Sequence, residues 1–477
     1  MKSKNQGAPS SRIERDSMGE MSVPADAYWG ASTQRAVINF PISSLRFGRS
    51  FIRALALIKL AAAVTNEKSG ALSPAQANAI RQAAQEVADG QFDQHFVVDI
   101  FQTGSGTSTN MNANEVIATR ARQLLSESRQ PTNPTVTVHP NDHVNMGQSS
   151  NDVIPSAIHL AALLDIREEL KPALKALSKA LGSKSRQFKK VIKTGRTHLQ
   201  DATPITLGQE FQGYKGQIDN AVKRLKVVED RLCKLALGGT AVGTGINTEA
   251  GFAAETLAEL SRQVGFRVSE TDNHFQAQST IDDVVDSSGA LKTLATSLAK
   301  IANDIRWMGS GPAAGLYELQ LPAVQPGSSI MPGKVNPVIC ESTIQVCYKV
   351  IGNDTTITLA SQASSFELNV ALPVAAFCLL ESIQLLAAAA NNFTERCLLG
   401  LTATATGPAL VEKGLALCTA LAPIVGYDKA AKIAKEAAAS GETIFAAARR
   451  LTDLSDEKLK EVLDPFTMTK PGGKGSE

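Results

Sequence analysis

The sequence is short of aromatics, of net charge and of long apolar runs, and each shortage removes a class of protein. Phe, Trp and Tyr together make up 5 % of the 477 residues. That is too few for an aromatic-rich β-sandwich, whereas the recurring alanine and leucine suit close-packed helices. The formal charge is only +2, so no global field recruits nucleic acid or an anionic membrane, and an anionic ligand has to be held by local groups. The best apolar run, 54–64, is short and interrupted by Lys59, well below the length of a membrane span. The start, MKSKNQGAPSSR, has two lysines but no apolar core, so it does not read as a secretory signal. It also lacks the arginine-rich amphipathic pattern of a transit peptide. A cytoplasmic location is the default expectation. The six cysteines, Cys233, Cys340, Cys347, Cys378, Cys397 and Cys418, form no CxxC pair and no disulfide-scaffold spacing, which favours reduced, buried thiols.

What is present fits a mainly α protein. Hydrophobic residues are 43 % and charged residues 20 %, a globular composition, and the length allows two or three domains. The expected division is 1–147, mixed but mostly helical; 148–400, a long central five-helix bundle; and 401–477, a small helical domain ending in a disordered PGGKGSE. Ser73-Pro74-Ala75-Gln76 reads as a helix start, with serine as cap, proline at the first helical position and glutamine closing a capping box. The stretch PTNPTVTVHPND (131–142) is too rich in proline and turn-formers for regular helix. Long helices are expected near 155–189, 206–237, 284–309, 338–362 and 372–398. In the second, Leu207, Phe211, Tyr214, Ile218, Val222, Leu225, Leu232 and Leu235 fall on one stripe; in the third, Leu291, Leu294, Leu298, Ile301 and Ile305 do. Gly/Thr/Ser-rich connectors lie between them at 194–206, 238–248 and 327–337.

Four polar segments stand out as candidate chemistry: TGSGTSTNMNANE (103–115), HPNDHVNMGQSSND (139–152), TGRTHLQD (194–201) and GSSIMPGKVNP (327–337). Small hydroxyls, asparagine and glycine can present O–H, amide and backbone N–H donors to a carboxylate. GSSIMPGKV is not a P-loop, because five residues separate its glycines and valine follows the lysine. GGTAVGTGIN follows a helix and lacks the glycine spacing of a dinucleotide fingerprint. His139 and His143 are four apart, but Pro140 and Asn141 make a helical metal pair there unfavourable. No metal or other cofactor is expected.

Together these segments resemble the fumarase/aspartase superfamily over nearly the whole chain. The resemblance starts at DSMGEMSVPADAYWGASTQRA (16–36) and runs through FELNV (366–370) to GYDKAAKIAK (426–435), and residues 327–337 match the signature GSSxMPxKxNP in full. Gly333, His198 in TGRTHLQDATP and the SSND of 149–152 are similar to the class II fumarase branch. Aspartases usually carry alanine, glutamine and STND at these places. Argininosuccinate and adenylosuccinate lyases generally have a basic residue in place of Val335. His143 is aspartase-like, and Gly147 stands where fumarases usually have serine. APIVGYD (422–428) lacks the Asn and His of the usual NPHIGYD.

The resemblance implies a three-domain fumarase/aspartase-like fold with a long central helical bundle. It also implies reversible, metal-independent hydration of fumarate to L-malate by anti addition of water, through an aci-carboxylate. It assigns the base to Ser328 on a mobile loop, and activation of water to His198 with Glu341 as its partner. Lys334 and Asn336 would hold the carboxylate that becomes the aci-carboxylate. Ser105, Thr107, Ser149, Ser150 and Asn151 would bind substrate carboxylates; Thr197 and Ser329 are further substrate-binding candidates. His139, Asn141 and Asp142 would form a second anion site. The family's assembly implies a homotetramer whose active sites are shared between three subunits, with a small dicarboxylate as ligand and no nucleic-acid or membrane partner. Aspartate ammonia-lyase and a catalytically silent helical oligomer are the competing readings.

Overall fold

A computed structural model describes residues 11–127 and 136–472. The first ten residues of the N-terminal stretch, residues 131–135 of the proline-rich stretch and the final 473–477 of the tail lie outside the described residues. Long helices dominate, and among the described residues every sheet is only two-stranded.

Four of the long helices are among those expected, with adjusted ends, whereas Arg49–Lys68 and Thr107–Glu127, of 20 and 21 residues, were not anticipated. The four run Leu207–Leu232, Asp282–Met308, Val338–Ser361 and Leu372–Phe393. The first has 26 residues, about 39 Å at the standard rise. Its buried apolar side chains are Leu207, Phe211, Tyr214, Ile218, Ala221, Leu225, Val228 and Leu232. The spacing alternates four and three, the pattern of a helix that packs along its whole length. Ala221 takes the place expected for Val222, which is only half-buried, because the 3.6-residue turn carries the seam past position 222. In Asp282–Met308 the same alternation buries Leu291, Leu294, Leu298, Ile301 and Ile305.

The helix expected to begin at Pro155 begins five residues earlier. Ser149 caps it: its Oγ accepts from the Asn151 N–H at 3.2 Å, and its own N–H donates to Asp152 Oδ1 at 2.9 Å. This reciprocal bonding overrides the proline, which sits inside the helix Ser150–Asp165. A π-helical turn, Ile166–Leu170, separates it from Lys171–Gln187. The box at Ser73 and Gln76 forms as anticipated. Leu372–Leu398 is apolar and long enough to cross a membrane, longer than the run 54–64; 67 % of its most apolar window is buried, as in the core helix of a globular unit.

The chain divides into two compact units, Met1–Leu170 with Arg224–Lys292 and Lys349–Leu385, and Lys171–Lys223 with Thr293–Tyr348 and Leu386–Glu477. In the first, the helix Arg49–Lys68 is buried on nearly all sides and packs against Pro74–Ala88, Ser150–Asp165 and Phe252–Val264. Glu115 accepts the N–H groups of Gly30 (2.8 Å), Ser32 (3.0 Å) and Thr33 (3.1 Å). The YWGAST segment thus wraps its helix start around one carboxylate. In the second unit, Val411, Leu421, Ile433, Ile444, Ala447 and Leu459 form a separate small core, and Gly426 and Gly441 break its helices with positive φ of 84° and 73°.

Candidate active site

The connector 194–206 is not a loop. Residues Ile192–Thr197 and Gln200–Thr206 form an antiparallel hairpin. Its two-residue turn is His198-Leu199, with φ of 56° and 59°. Left-handed φ at both central positions defines a type I′ turn, which normally selects Asn or Gly. Histidine and leucine hold it at a cost, and strain of this kind collects at functional positions. The base of the hairpin is locked by buried charge. Arg196 donates twice to Glu318, at 3.1 and 2.9 Å, and Lys193 reaches Glu318 at 3.7 Å and Glu210 at 3.2 Å. Tyr214 Oη lies 3.1 Å from both Glu210 and Asp304; burial first and the two carboxylates next push its hydroxyl far up, so it stays protonated. The tip is the opposite: Thr197, His198 and Leu199 are exposed.

The loop 327–337 is shaped by its glycines. A Cβ on Gly327 would lie 2.1 Å from Lys334 O and 2.7 Å from Asn336 N, so only glycine lets the two ends of the loop meet. Lys334 N–H donates to Met331 O at 3.3 Å around Pro332 and Gly333, whose φ is 80°. This is the Pro-Gly order of a type II turn. Ser328 Oγ accepts two backbone N–H groups, from Ile330 at 3.3 Å and Met331 at 3.0 Å. Ser329 is exposed beside it. Lys334 Nζ donates to Asn336 Oδ1 at 2.8 Å, and Asn336 Nδ2 donates to Gly327 O. Lys334 and Asn336 also line a cavity of about 560 Å³ with Arg306, Trp307 and Ser310. Glu341 follows in the first turn of Val338–Ser361. Within one chain, among the described residues, the side chains of His198, Ser328 and Glu341 make no hydrogen bond to one another.

Ser105, Thr107, Ser149, Ser150 and Asn151 come together in the other unit. Ser105 Oγ and Thr107 Oγ1 are 2.8 Å apart, with Gly106 between them at φ 74°. Gly104 passes so close to Val370 that an added Cβ would meet its carbonyl oxygen at 1.8 Å. Thr107 opens the helix Thr107–Glu127 and Ser150 opens its own. Asn110 Nδ2 joins the two by donating to Ser150 Oγ at 3.1 Å. Paired helix starts of this kind present free N–H groups to an anion. Asn151 Nδ2 donates to Ala241 O at 2.8 Å.

Asn141 and Asp142 lie exposed on a π-helical turn, Pro140–Val144, which His139, also exposed, caps. His139 Nδ1 accepts the Asp142 N–H at 3.2 Å. His143 points the other way: its Nδ1 accepts the His139 N–H at 2.8 Å and its Nε2 is 3.2 Å from Gln76 Nε2. Burial depresses its basicity. This histidine pins the turn to the helix Pro74–Ala88 and is spoken for within the fold.

Sequence reasoning missed a polar layer beneath the serines. Lys59 is fully buried and donates to Asn145 Oδ1 at 2.8 Å, an oxygen that also accepts from Asn110 and Asn114 at 3.2 Å each. Asp152 is buried and accepts from Ser149, Gly238 and Thr240 N–H groups at 2.9, 2.9 and 3.0 Å. The available signal was a lone lysine in the middle of an otherwise apolar helical run.

The comparisons with known proteins agree with one another. Residues 19–352 match a family model described as lyase, and residues 417–470 match one described as the fumarase C C-terminus. The chain is 49 % identical over 465 residues to fumarate hydratase class II 2 of Bradyrhizobium diazoefficiens, covering 97 % of this chain and 98 % of that protein. It is 50 % identical over 448 residues to fumarate hydratase class II of Thermosynechococcus vestitus, covering 94 % and 95 %. The crystal structure of class II fumarase from Schistosoma mansoni superposes with a TM-score of 0.93 at 39 % identity, covering 97 % of this chain and all of that one.

Proposed function

The chain belongs to the class II fumarate hydratases of the lyase family and catalyses the hydration of fumarate, and we propose that Ser328, His198 and Glu341 carry the chemistry. In the malate direction Ser328 Oγ, as its alkoxide, takes the proton from C3. The C–H electron pair moves onto the adjacent carboxylate, giving the aci-carboxylate. The hydroxyl at C2 then leaves as water with a proton delivered through His198, and the double bond forms. In hydration the same steps run backwards: His198 receives the proton lost by water, and Ser328 returns one to C3.

The observation that carries this reading is the pair of backbone N–H groups on Ser328 Oγ. Hydrogen bonds to the charged form favour it, and Lys334 in the same loop adds positive potential. Lys334 with Asn336 would bind the carboxylate that gains charge in the aci-carboxylate. Preorganised donors at that point lower the barrier most. Ser105, Thr107, Ser149, Ser150 and Asn151 would hold the other carboxylate at their two helix starts, with Thr197 and Ser329 lining the site. His139, Asn141 and Asp142 would form a second anion site. No step requires a metal or organic cofactor.

The substrate class is a small dicarboxylate. The finer assembly, a homotetramer in which three subunits complete each site, is supported by the exposure of the His198 tip and by the missing hydrogen bonds among His198, Ser328 and Glu341 within one chain. Exposed Ile330 (83 %) and Phe366 (92 %) give such subunits apolar surface to bury. The domain division 1–147, 148–400 and 401–477 and a cytoplasmic location belong to the same proposal. The test compares L-malate with L-aspartate as sources of fumarate. Turnover of malate and none of aspartate is expected; the reverse would overturn the reading in favour of ammonia elimination.

A further inference from the structure

We propose that Lys59 is a positioning residue for substrate binding: acting through Asn145 and Asn110, it sets the Ser150 hydroxyl as a hydrogen-bond donor to the substrate carboxylate. This rests on the reading above that Ser150 binds that carboxylate.

The argument is a chain of donors and acceptors. Lys59 Nζ has only protons to give, and it gives one to Asn145 Oδ1 at 2.8 Å. That fixes which end of the Asn145 amide faces the layer, and its other end, Nδ2, donates to Gln148 O at 3.1 Å. With Asn145 Oδ1 presented as an acceptor, Asn110 turns its NH₂ group toward it, at 3.2 Å. The second proton of the same NH₂ group goes to Ser150 Oγ at 3.1 Å. Ser150 Oγ therefore receives a hydrogen bond from behind, and its own proton is left to point toward the helix start where an anion would sit. Asn114 Nδ2 converges on the same Asn145 oxygen at 3.2 Å, so one carbonyl carries three donors. A charged donor is the strongest of them.

Without the ammonium this orientation loses its charged donor and rests on the Gln148 carbonyl, which accepts from Asn145 Nδ2, and on Asn114. Asn145 is then held less firmly, and Asn110, which has no acceptor-only partner other than Asn145 Oδ1 among the described residues, can invert. An inverted Asn110 would offer Oδ1 to Ser150 and capture the proton that the substrate needs. The layer is already short of donors, since Asn110 Oδ1, Asn114 Oδ1 and Gln148 Oε1 are buried with no hydrogen-bond partner among the described residues. Ser150 would satisfy one of them at the expense of the ligand.

The placement also makes the device sensitive to pH. Burial brings Lys59 down to about 7, opposed only in part by Asp152. Among the described residues, Asp152, on the first turn of Ser150–Asp165, is the one charged group acting on it. The helix Thr107–Glu127 presents Asn110 and Asn114, and the segment after Pro140–Val144 presents Asn145. Among the described residues, no charge on the helices Pro74–Ala88 and Phe252–Val264 contributes to its shift. The ammonium exists below its titration point and is lost above it, so binding governed by Lys59 weakens as pH rises through about 7.

The experiment measures KM and kcat for L-malate against pH in the wild type, Lys59→Met, Asn110→Ala, Ser150→Ala and the Lys59→Met/Asn110→Ala double variant. The expected result is a KM about tenfold higher in Lys59→Met, with kcat within about threefold of wild type, as for lost binding shared by ground and transition states. Asn110→Ala should match it, and the double variant should be no worse than either single one, because both act on the same hydroxyl. The rise of KM through about pH 7 should vanish in Lys59→Met. Wild-type KM in Lys59→Met or Asn110→Ala, multiplying effects in the double variant, or an unchanged pH profile would overturn the proposal. If Lys59→Met does not fold, wild-type KM in Asn110→Ala alone overturns it. Wild-type KM in Ser150→Ala would instead overturn the binding role of Ser150.

Discussion

Adding one methyl group at Gly327 should disable the enzyme without unfolding it. An alanine Cβ there would stand 2.1 Å from Lys334 O, 2.7 Å from Asn336 N and 2.8 Å from Val335 Cα. All three are backbone atoms, so no side chain can swing aside. Contacts of this kind do not occur under 3.0 Å, so the strand of loop carrying Lys334 and Asn336 has to move by about 1 Å relative to Ser328. A misplacement of about 1 Å in a positioned group costs on the order of 100-fold, or about 2.7 kcal/mol in the barrier. The expected result for Gly327→Ala is a kcat about 100-fold below wild type. The melting temperature should stay within about 2 °C, since the loop exposes Ile330 and Met331 and surface changes are worth about 0.5 kcal/mol or less. Gly333→Ala is the comparison. Nothing lies within 4 Å of its added Cβ, and only its φ of 80° opposes the substitution, a strain of about 1–2 kcal/mol, so its loss of kcat should be smaller, about tenfold. A Gly327→Ala variant with kcat within threefold of wild type would refute the reasoning, as would Gly333→Ala being the worse of the two.

Ser328→Ala should lower kcat by about 10²–10⁴-fold with the fold intact by circular dichroism; near-normal turnover would remove the base role. His198→Asn should do the same, and asparagine is the informative replacement because it tolerates the left-handed turn, so any loss reports the imidazole and not the hairpin. Glu318→Gln should destabilise the protein by about 3–5 kcal/mol, the cost of breaking a buried ion pair from one side, because Lys193 and Arg196 would be left facing a neutral amide; a melting temperature unchanged in thermal denaturation would show that Glu210 and Thr194 O satisfy them. Exhaustive dialysis against a chelator should leave malate turnover unchanged, and activity lost on dialysis but restored by a divalent metal would overturn the metal-free reaction.

The readable parts of the fold were those governed by local rules. Helix spans followed from apolar spacing, and Ser73 with Gln76 marked a helix start because a capping box involves only neighbours in sequence. The same box at Ser149 and Asp152 lies ahead of Pro155, where the helix was expected to begin, and the five residues before that proline are helical. The hairpin Ile192–Thr206 was unreadable for a different reason. Its turn residues, His198 and Leu199, are poor choices for left-handed φ, and the Arg196–Glu318 and Lys193–Glu318 pairs, more than 100 residues apart in sequence, help hold the strands that force them into it.

The site divides in the same way. Its chemistry was legible because GSSIMPGKVNP, TGRTHLQD and SSND are contiguous, and contiguous residues identify a family and a reaction. Orientation was not legible, because it is set by groups distant in sequence. Lys59 looked like an interruption in an apolar run. Burial, and an amide 86 residues away, turn it into the start of a hydrogen-bond chain leading to Ser150. The sequence by itself determined which functional groups the protein owns and where its helices run, since both depend on short-range pattern. Which way each hydroxyl and amide points depends on who donates to whom across the packed interior, and only the tertiary structure decided that.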